Sequence, residues 1–200
     1  MSLKVGITGG IGAGKSLVAK IFKSLGIPVY NSDEEAKRLM REDPDLKARI
    51  IELFGPDAYT KGILNKAFLR QKIFNHVDNL DKMNNLVHPA VIQHYNNWVL
   101  EHTSNPFTIK EAALLFESGS YADLDKIILV SAPKSVRINR ILLRDVDRSR
   151  EEIERIIENQ MSDARKKKLS DYVIANDGSK MVLPQVLEIY NELTAGSHRA

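Results

Sequence analysis

The chain has 200 residues, 43% of them hydrophobic and 28% charged, which is long enough for one well-buried core and too short for two ordinary domains. The absence of cysteine excludes disulfides, thiolate metal sites and a cysteine nucleophile. With a net charge of only +3 and 6% aromatic residues, we expect no nucleic-acid partner. Neither a signal peptide nor an apolar run of about 20 residues is visible, so we expect a soluble, cytoplasmic protein without membrane association.

The first thirty residues predict a βαβ unit. An apolar run over residues 3–8 is typical of a buried strand, and a glycine-rich turn follows it. Apolar residues at helical spacing predict a helix over 16–25, and Gly26 and Pro28 end it before a second short strand at 27–30. A strand, a helix and a strand in this order predict a parallel sheet.

Residues 32–105 have a mostly helical pattern. We predict helices over 32–41, 44–54, 66–75 and 80–100, with Pro89 marking a boundary or a kink in the last. Strands at 107–109, 126–130 and 171–175 then extend the sheet, and helices follow at 133–145 and 181–193. Ser149 and Glu152 have the spacing of a capping box, which predicts a further helix there.

Residues 9–16 match the phosphate-binding motif G-x-x-x-x-G-K-[ST] in full. Glycines allow the backbone to wrap closely around phosphate oxygens, and the N-terminus of the following helix adds partial positive charge. We expect Lys15 to reach the β- and γ-phosphates of ATP and Ser16 to bind Mg²⁺. The predicted ATP-binding residues of this segment are Gly9, Gly10, Ile11, Gly12, Ala13, Gly14, Lys15, Ser16 and Leu17.

The motif predicts an α/β fold with a P-loop NTPase-type parallel sheet flanked by helices. We assign the core to residues 1–31 and 106–195, an inserted helical, acceptor-binding subdomain to 32–105 and a lid to about 137–170. A GTPase would carry N-K-x-D, but Ala67 and Phe68 follow the pair Asn65-Lys66. Small size and a helical insert favour a kinase of a small molecule, with Glu111 after the strand at 107–109 as the candidate carboxylate for Mg²⁺.

Two further features can act on the acceptor and on the transferred phosphate. Asp33 follows the second predicted strand, where it could orient or deprotonate an attacking hydroxyl, or instead cap the next helix. Arg137, Arg140 and Arg144 share one helix face, which could close over the nucleotide or simply face solvent. The basic run at 165–168 is more typical of a solvated surface than of a site.

Several segments together resemble one family, the dephospho-coenzyme A kinases. The resemblance extends over residues 3–193 and departs from the family pattern at Leu17, Asn31 and Glu111-Ala112-Ala113. Its motifs are Thr8 to Ser16, Asp33, Leu86-Val87-His88-Pro89, Leu114-Leu115-Phe116-Glu117, Arg140, Arg144-Asp145, Gln160, and Asp171 through Asn176 to Gly178.

The resemblance implies that ATP donates its γ-phosphate to the ribose 3′-hydroxyl of dephospho-CoA, giving CoA and ADP in the last step of CoA synthesis. It implies catalytic roles for Lys15, Asp33, Arg140 and Arg144, with Glu111 assisting Ser16 at Mg²⁺ through a water. It also implies an adenine-side loop at Asn176 to Gly178, and an acceptor site that includes Asp33, Arg70, His88 and Glu117.

Two other functions stay open at this point. One is a kinase of a different small acceptor, such as a nucleoside monophosphate or a sugar acid, on the same fold. The other is a nucleotide-binding regulator without catalysis. The sequence contains no heptad run or exposed apolar strand that would indicate an oligomeric state.

Overall fold

The computed structural model describes residues 2–75 and 77–197. The strands are β1 Leu3–Thr8, β2 Val29–Asn31, β3 Tyr59–Thr60, β4 Ile63–Leu64, β5 Phe107–Glu111, β6 Lys126–Ser131 and β7 Tyr172–Ala175. The helices are α1 Lys15–Ser24, α2 Ser32–Glu42, α3 Pro44–Phe54, α4 Lys66–Asn75, α5 Val77–Glu101, α6 Lys134–Arg144, α7 Arg150–Glu158, α8 Asp163–Lys168 and α9 Val182–Ser197. A short 3₁₀ turn spans Pro56–Ala58.

The chain divides into two compact units. The first comprises residues 1–31 and 102–200, and the second comprises 32–101. Each unit is described by itself below.

A five-stranded sheet organises the first unit, in the order β2-β5-β1-β6-β7 with every pair parallel. This confirms the predicted parallel sheet flanked by helices. Asn31 at the end of β2 pairs in register with Glu111 at the end of β5, and Ile7 of β1 also pairs with Glu111. The carboxyl ends of three neighbouring strands therefore meet at one edge, where parallel α/β sheets place their ligands.

The sheet is covered by apolar side chains on both faces. On one face, α1 and α9 pack against the strands through fully or nearly fully buried residues that include Phe22, Val186 and Ile189. The other face carries a cluster around Leu115 and Ile127, and α6 and α7 pack on each other through Ile138, Ile141 and Ile153. Since the central strands are buried on both sides, they have continuous apolar runs rather than alternating ones.

In the second unit, α5 packs against α2, α3 and α4. Its buried residues Met83, Val87, Val91 and Tyr95 follow each other at intervals of one turn, and they continue across Pro89. Of the two alternatives predicted at Pro89, the helix boundary was wrong and the kink stays a prediction. Helix α5 runs through Pro89, because the apolar stripe on both sides gains more from packing than the helix loses at one proline.

The sequence interpretation also missed the β3–β4 hairpin. Lys61 and Gly62 connect its strands with φ values of 51° and 79°. Positive φ at both central residues is the requirement of a type I′ turn, whose twist matches that of an antiparallel pair. A lysine at the first position hides this signal, since Asn or Gly is the usual residue there.

The capping box predicted at α7 is confirmed. The Ser149 side chain accepts from the N–H of Glu152, and the Glu152 carboxylate accepts from the N–H of Ser149. Within the described residues, none of the helices combines the length and the apolar character that crossing a bilayer requires.

Candidate active site

The loop between β1 and α1 forms a tight cradle. Gly14, the residue before α1, has φ 97°, a conformation that glycine adopts without strain. Asn176 donates from Nδ2 to the carbonyl of Ala13 at 2.8 Å, and a Cβ atom on Gly14 would overlap the same amide nitrogen. Any other residue at position 14 would therefore displace Asn176 and distort the loop.

Lys15 lies over the loop that precedes it. Its Nζ donates to the carbonyl of Gly9 at 3.0 Å and to that of Gly10 at 3.4 Å. The ammonium group is thus held above the concave side of the glycine turn by neutral acceptors, which a phosphate oxygen would outcompete as a charged acceptor.

Ser16 and Glu111 meet at the carboxyl edge of the sheet. The Ser16 hydroxyl donates to Oε1 of Glu111 at 2.8 Å, and Nδ2 of Asn31 donates to Oε2 at 3.2 Å. Glu111 is only 6% exposed, so this carboxylate is fixed by hydrogen bonds on both oxygens in a partly dehydrated setting. Hydroxyl and carboxylate oxygens are the donors that Mg²⁺ prefers, so the pair fits a magnesium ion.

A cleft of ≈ 210 Å³ lies beside the loop. Its charged lining consists of Lys15, Arg140 and Arg144, and Gly12, Gly14 and Ser16 contribute the loop side. Such a wall, cationic and rich in backbone amides, suits a polyanionic ligand.

The three arginines of α6 have different environments. Arg140 donates from Nη2 to Oδ1 of Asn176 at 3.3 Å, while its Nη1 is buried with no hydrogen-bond partner among the described residues. A buried guanidinium nitrogen of this kind is satisfied when an anion enters the cleft. Arg144 is 63% exposed and pairs with Asp145, whose hydrogen bond raises the pKa of the guanidinium above its ordinary value.

Arg137 does not share that cleft. Its side chain is 6% exposed and bonds to the carbonyl of Ile11 and to Asp163. The three arginines on this face of α6 therefore do not all face solvent, and they do not all line the cleft.

Glu117 is tied to the segment that precedes and forms α8. Its Oε1 accepts from the N–H of Met161 at 2.8 Å and pairs with Nζ of Lys166 at 3.0 Å. Burial alone would raise the pKa of Glu117, but the hydrogen bonds from Lys166 and Met161 outweigh it, so the pKa lies below 4.5.

Lys166 corrects the expectation that residues 165–168 form a solvated surface. Its side chain is 0% exposed and also approaches the carbonyl of Ala113 at 3.5 Å, whereas its neighbours in the run are exposed. The ion pair with Glu117 and the hydrogen bond to Ala113 together offset the cost of a fully buried ammonium, and partners so far away in the chain leave no local signal.

The predicted acceptor residues Asp33, Arg70 and His88 all belong to the second unit. Asp33 is exposed in the first turn of α2, which begins at Ser32, so it lies inside the helix rather than at the capping position before it. Arg70 of α4 and His88 of α5 are exposed on two helices that pack against each other.

Asn176 and Gly178 follow β7 in the first unit. Asn176 is 9% exposed and connects Arg140 to the loop through its two amide atoms. Gly178 is exposed, with φ 89°, in the turn after it. Leu17, in the first turn of α1, is 50% exposed beside the cleft.

Sequence reasoning underrated three residues of this region. Asn31 was noted only as a departure from a family pattern, although its place at the end of β2 puts it beside Glu111. Arg137 was grouped with the helix stripe, and Gln160 was noted only through the resemblance, although both bond to the backbone of Ile11. Their contacts cross more than a hundred positions and have no local signature.

Comparison with known proteins shows that this chain is similar to dephospho-CoA kinases. The family model for dephospho-CoA kinase (CoaE) matches residues 3–181. A dephospho-CoA kinase of Bacteroides fragilis (strain YCH46) is 38% identical over 189 residues, which cover 94% of this chain and 92% of that protein.

Two solved structures extend the similarity to the fold. A protein of Thermus thermophilus has a TM-score of 0.81 at 31% identity, covering 98% of this chain and 97% of the other. A dephospho-CoA kinase from Campylobacter jejuni has a TM-score of 0.73 at 25% identity, covering 98% and 99%.

Proposed function

This chain belongs to the dephospho-CoA kinase family, and from that premise we propose how its residues carry out the family's reaction. The enzyme transfers the γ-phosphate of ATP to the ribose 3′-hydroxyl of dephospho-CoA, giving CoA and ADP in CoA biosynthesis. The hydroxyl loses its proton and forms the new O–P bond, while the bond between the β- and γ-phosphates breaks and its electrons stay on ADP. The cysteine-free sequence suits a reducing compartment, and we assign the reaction to the cytoplasm.

On the nucleotide side, residues 9–17 hold the phosphates of ATP. Lys15 exchanges the neutral carbonyls of Gly9 and Gly10 for phosphate oxygens, which bind an ammonium group more strongly. Arg140 and Arg144 neutralise charge on the moving phosphoryl group, and the unsatisfied Nη1 of Arg140 supports that role. Asn176 and Gly178 form the adenine side of the site.

Ser16 would hold Mg²⁺ with its hydroxyl, and Glu111 would assist through a water. No group of three or more His, Asp or Glu side chains within residues 2–75 and 77–197 could hold an ion without help. The phosphates of ATP would therefore supply further oxygen ligands beside the Ser16 hydroxyl, and Glu111, 2.8 Å from that hydroxyl, would act through the water. When bound, Mg²⁺ neutralises phosphate charge.

On the acceptor side, Asp33 would orient or deprotonate the 3′-hydroxyl. Its exposed carboxylate in the first turn of α2 is compatible with either role. Arg70 and His88, exposed on α4 and α5, would bind the acceptor. Glu117 would also bind the acceptor, and its Oε1 is already bonded to Lys166 and to the N–H of Met161.

The observation that carries the phosphotransfer proposal is the Ser16–Glu111 hydrogen bond beneath a complete phosphate-binding loop. The direct test measures ADP release from Mg²⁺ and ATP with dephospho-CoA present or omitted, and determines by mass whether the product has gained one phosphate. Acceptor-dependent ADP and a matching mass gain are expected, and Lys15→Ala should lower the rate by about a thousandfold.

The same assay separates the rival functions. ADP formation with a nucleoside monophosphate or a sugar acid, but none with dephospho-CoA, would show that the enzyme phosphorylates a different acceptor. ATP binding without acceptor-dependent turnover in folded protein would instead indicate a nucleotide-binding regulator.

A further inference from the structure

Ile11, at the turn of the phosphate-binding loop, is bound on both sides of its backbone by distant side chains. Its N–H donates to Oε1 of Gln160 at 3.0 Å, and its carbonyl accepts from Nε of Arg137 at 3.0 Å. Gln160 lies between α7 and α8, and Arg137 lies on α6. Two elements far downstream thus determine where this residue of the loop lies.

The position of the Arg137 side chain is fixed in turn by Asp163. Its Nη1 donates to Oδ1 of Asp163 at 3.1 Å, and Oδ2 of that carboxylate accepts from the Ser131 hydroxyl at 3.0 Å. The Arg137 side chain is 6% exposed, so its charge-assisted hydrogen bonds are little weakened by solvent. The packing is close, since a Cβ on Gly10 would overlap the guanidinium group.

We propose that Arg137, Gln160 and Asp163 are positioning residues for ATP, which hold the first half of the phosphate-binding loop in its binding conformation before the nucleotide arrives. None of them needs to touch a phosphate. Asp163 fixes Arg137, and Arg137 and Gln160 together fix Ile11. The inference rests on the proposed ATP site at residues 9–17.

The physical reason lies in the composition of the loop. Four of the six residues from 9 to 14 are glycine, and glycine loses more conformational freedom on ordering than any other residue. A loop that had to order on binding would weaken ATP affinity in proportion to the fraction of time it spends in other conformations. The bonds to Ile11 reduce this cost, since they hold the loop through side chains of the chain itself and do not require the nucleotide.

The region offers both a tolerant substitution and a matched control. Gln160 is half-buried and lines a cavity of ≈ 650 Å³ on the α6–α8 side of the sheet, so a side chain of equal length can be accommodated. Lys134 of α6 and Glu158 of α7 form an ion pair at 3.6 Å, with both side chains at least half exposed. Among the described residues, neither of them hydrogen-bonds to the loop.

The test compares Gln160→Met, Arg137→Lys and the control Lys134→Met with the unaltered chain. Calorimetry gives the Kd for ATP, steady-state kinetics give kcat and both KM values, and hydrogen exchange reports on the Ile11 amide. For Gln160→Met we expect an ATP Kd about fivefold higher, faster exchange at Ile11, and kcat and acceptor KM within twofold. Arg137→Lys should raise the ATP Kd about tenfold, since lysine cannot bond to Ile11 and Asp163 at once.

Outcomes of two kinds overturn the inference. One is an unchanged ATP Kd with unchanged Ile11 exchange in Gln160→Met. The other is a parallel loss of kcat, ATP affinity and melting temperature, or an equal effect of Lys134→Met, which would indicate a general structural role. Failure of the unaltered chain to bind ATP or to use dephospho-CoA would instead refute the proposed function, so the two failures are distinguishable.

Discussion

The Ser16 hydroxyl, in the first turn of the helix that follows β1, lies 2.8 Å from the Glu111 carboxylate at the end of the neighbouring strand β5, although the two residues are 95 positions apart in the chain. Asn31, from a third strand, donates to the other oxygen of the same carboxylate. The fold thus brings the serine of the phosphate-binding motif against a buried carboxylate.

The first prediction concerns Glu111→Gln. The amide keeps the size of the side chain and can accept from Ser16, but it removes the negative charge near the proposed magnesium ion. We expect turnover, or apparent affinity for Mg²⁺, to fall by about 10- to 100-fold. A Mg²⁺ titration of the rate measures this, and an unchanged half-saturation point together with an unchanged rate would contradict the metal role.

The second prediction concerns Asp33→Asn. The amide can still hydrogen-bond to the acceptor but cannot take its proton, so kcat should fall by about a hundredfold while the Kd for ATP changes little. Glu34→Gln, at the next exposed position of the same helix turn, is the matched control. Near-normal kcat in Asp33→Asn would remove Asp33 from the chemistry.

The third prediction separates two arginines of α6. Arg140→Met removes a half-buried cation, whose Nη1 is buried without a partner, from the cleft and should lower kcat/KM by about a hundredfold. Arg144→Met should cost less, about tenfold, because its side chain is 63% exposed and already paired with Asp145. Steady-state kinetics at fixed ionic strength measure which substitution lowers kcat/KM more. A larger loss in Arg144→Met than in Arg140→Met would contradict the prediction.

The fourth prediction concerns the Glu117–Lys166 pair and stability. Glu117→Gln leaves the fully buried Lys166 without its counter-charge and should lower the free energy of unfolding at pH 7 by about 3 kcal/mol. Urea unfolding measures this loss. Glu188→Gln on the exposed side of α9 is the control and should change stability by less than about 0.5 kcal/mol.

The pH dependence of that pair has a definite sign. The pKa of Glu117 is below 4.5 in the folded chain, so its stabilising contribution is fully present well above pH 4.5 and is lost as the pH falls through the folded value. The difference in stability between the unaltered chain and Glu117→Gln should therefore shrink below pH 4.5. A difference that grew on acidification would contradict this account.

The fold and the loop that carries the phosphate-binding motif could be predicted because their signals are local. Residues 3–16 contain a buried strand, a glycine turn, a lysine and a serine in consecutive positions, and the parallel sheet follows from the βαβ order. Glu111 could be singled out because a carboxylate at a strand end has few structural reasons to be there. Its bond to Ser16 then follows from the strand order.

The contacts that sequence reasoning missed depend on tertiary structure. Lys166 looks like one of four surface cations until the fold places Glu117 against it. Gln160 and Arg137 become informative only when the chain between them and Ile11 has folded. The helix boundary that was one alternative at Pro89 was wrong for the same reason, because the packing of α5 on its neighbours outweighs a local penalty.

The insertion point of the second unit has a consequence for how such a protein can diversify. Residues 32–101 form the connection between β2 and β5, and these two strands are direct neighbours in the sheet. Lengthening, shortening or replacing the intervening seventy residues therefore leaves the order of the strands unchanged, and with it the pairing of Asn31 with Glu111. Natural variation in one contiguous stretch of gene can therefore reshape the second unit while the phosphate-binding motif and the Asn31–Glu111 pairing, both encoded outside it, are inherited intact.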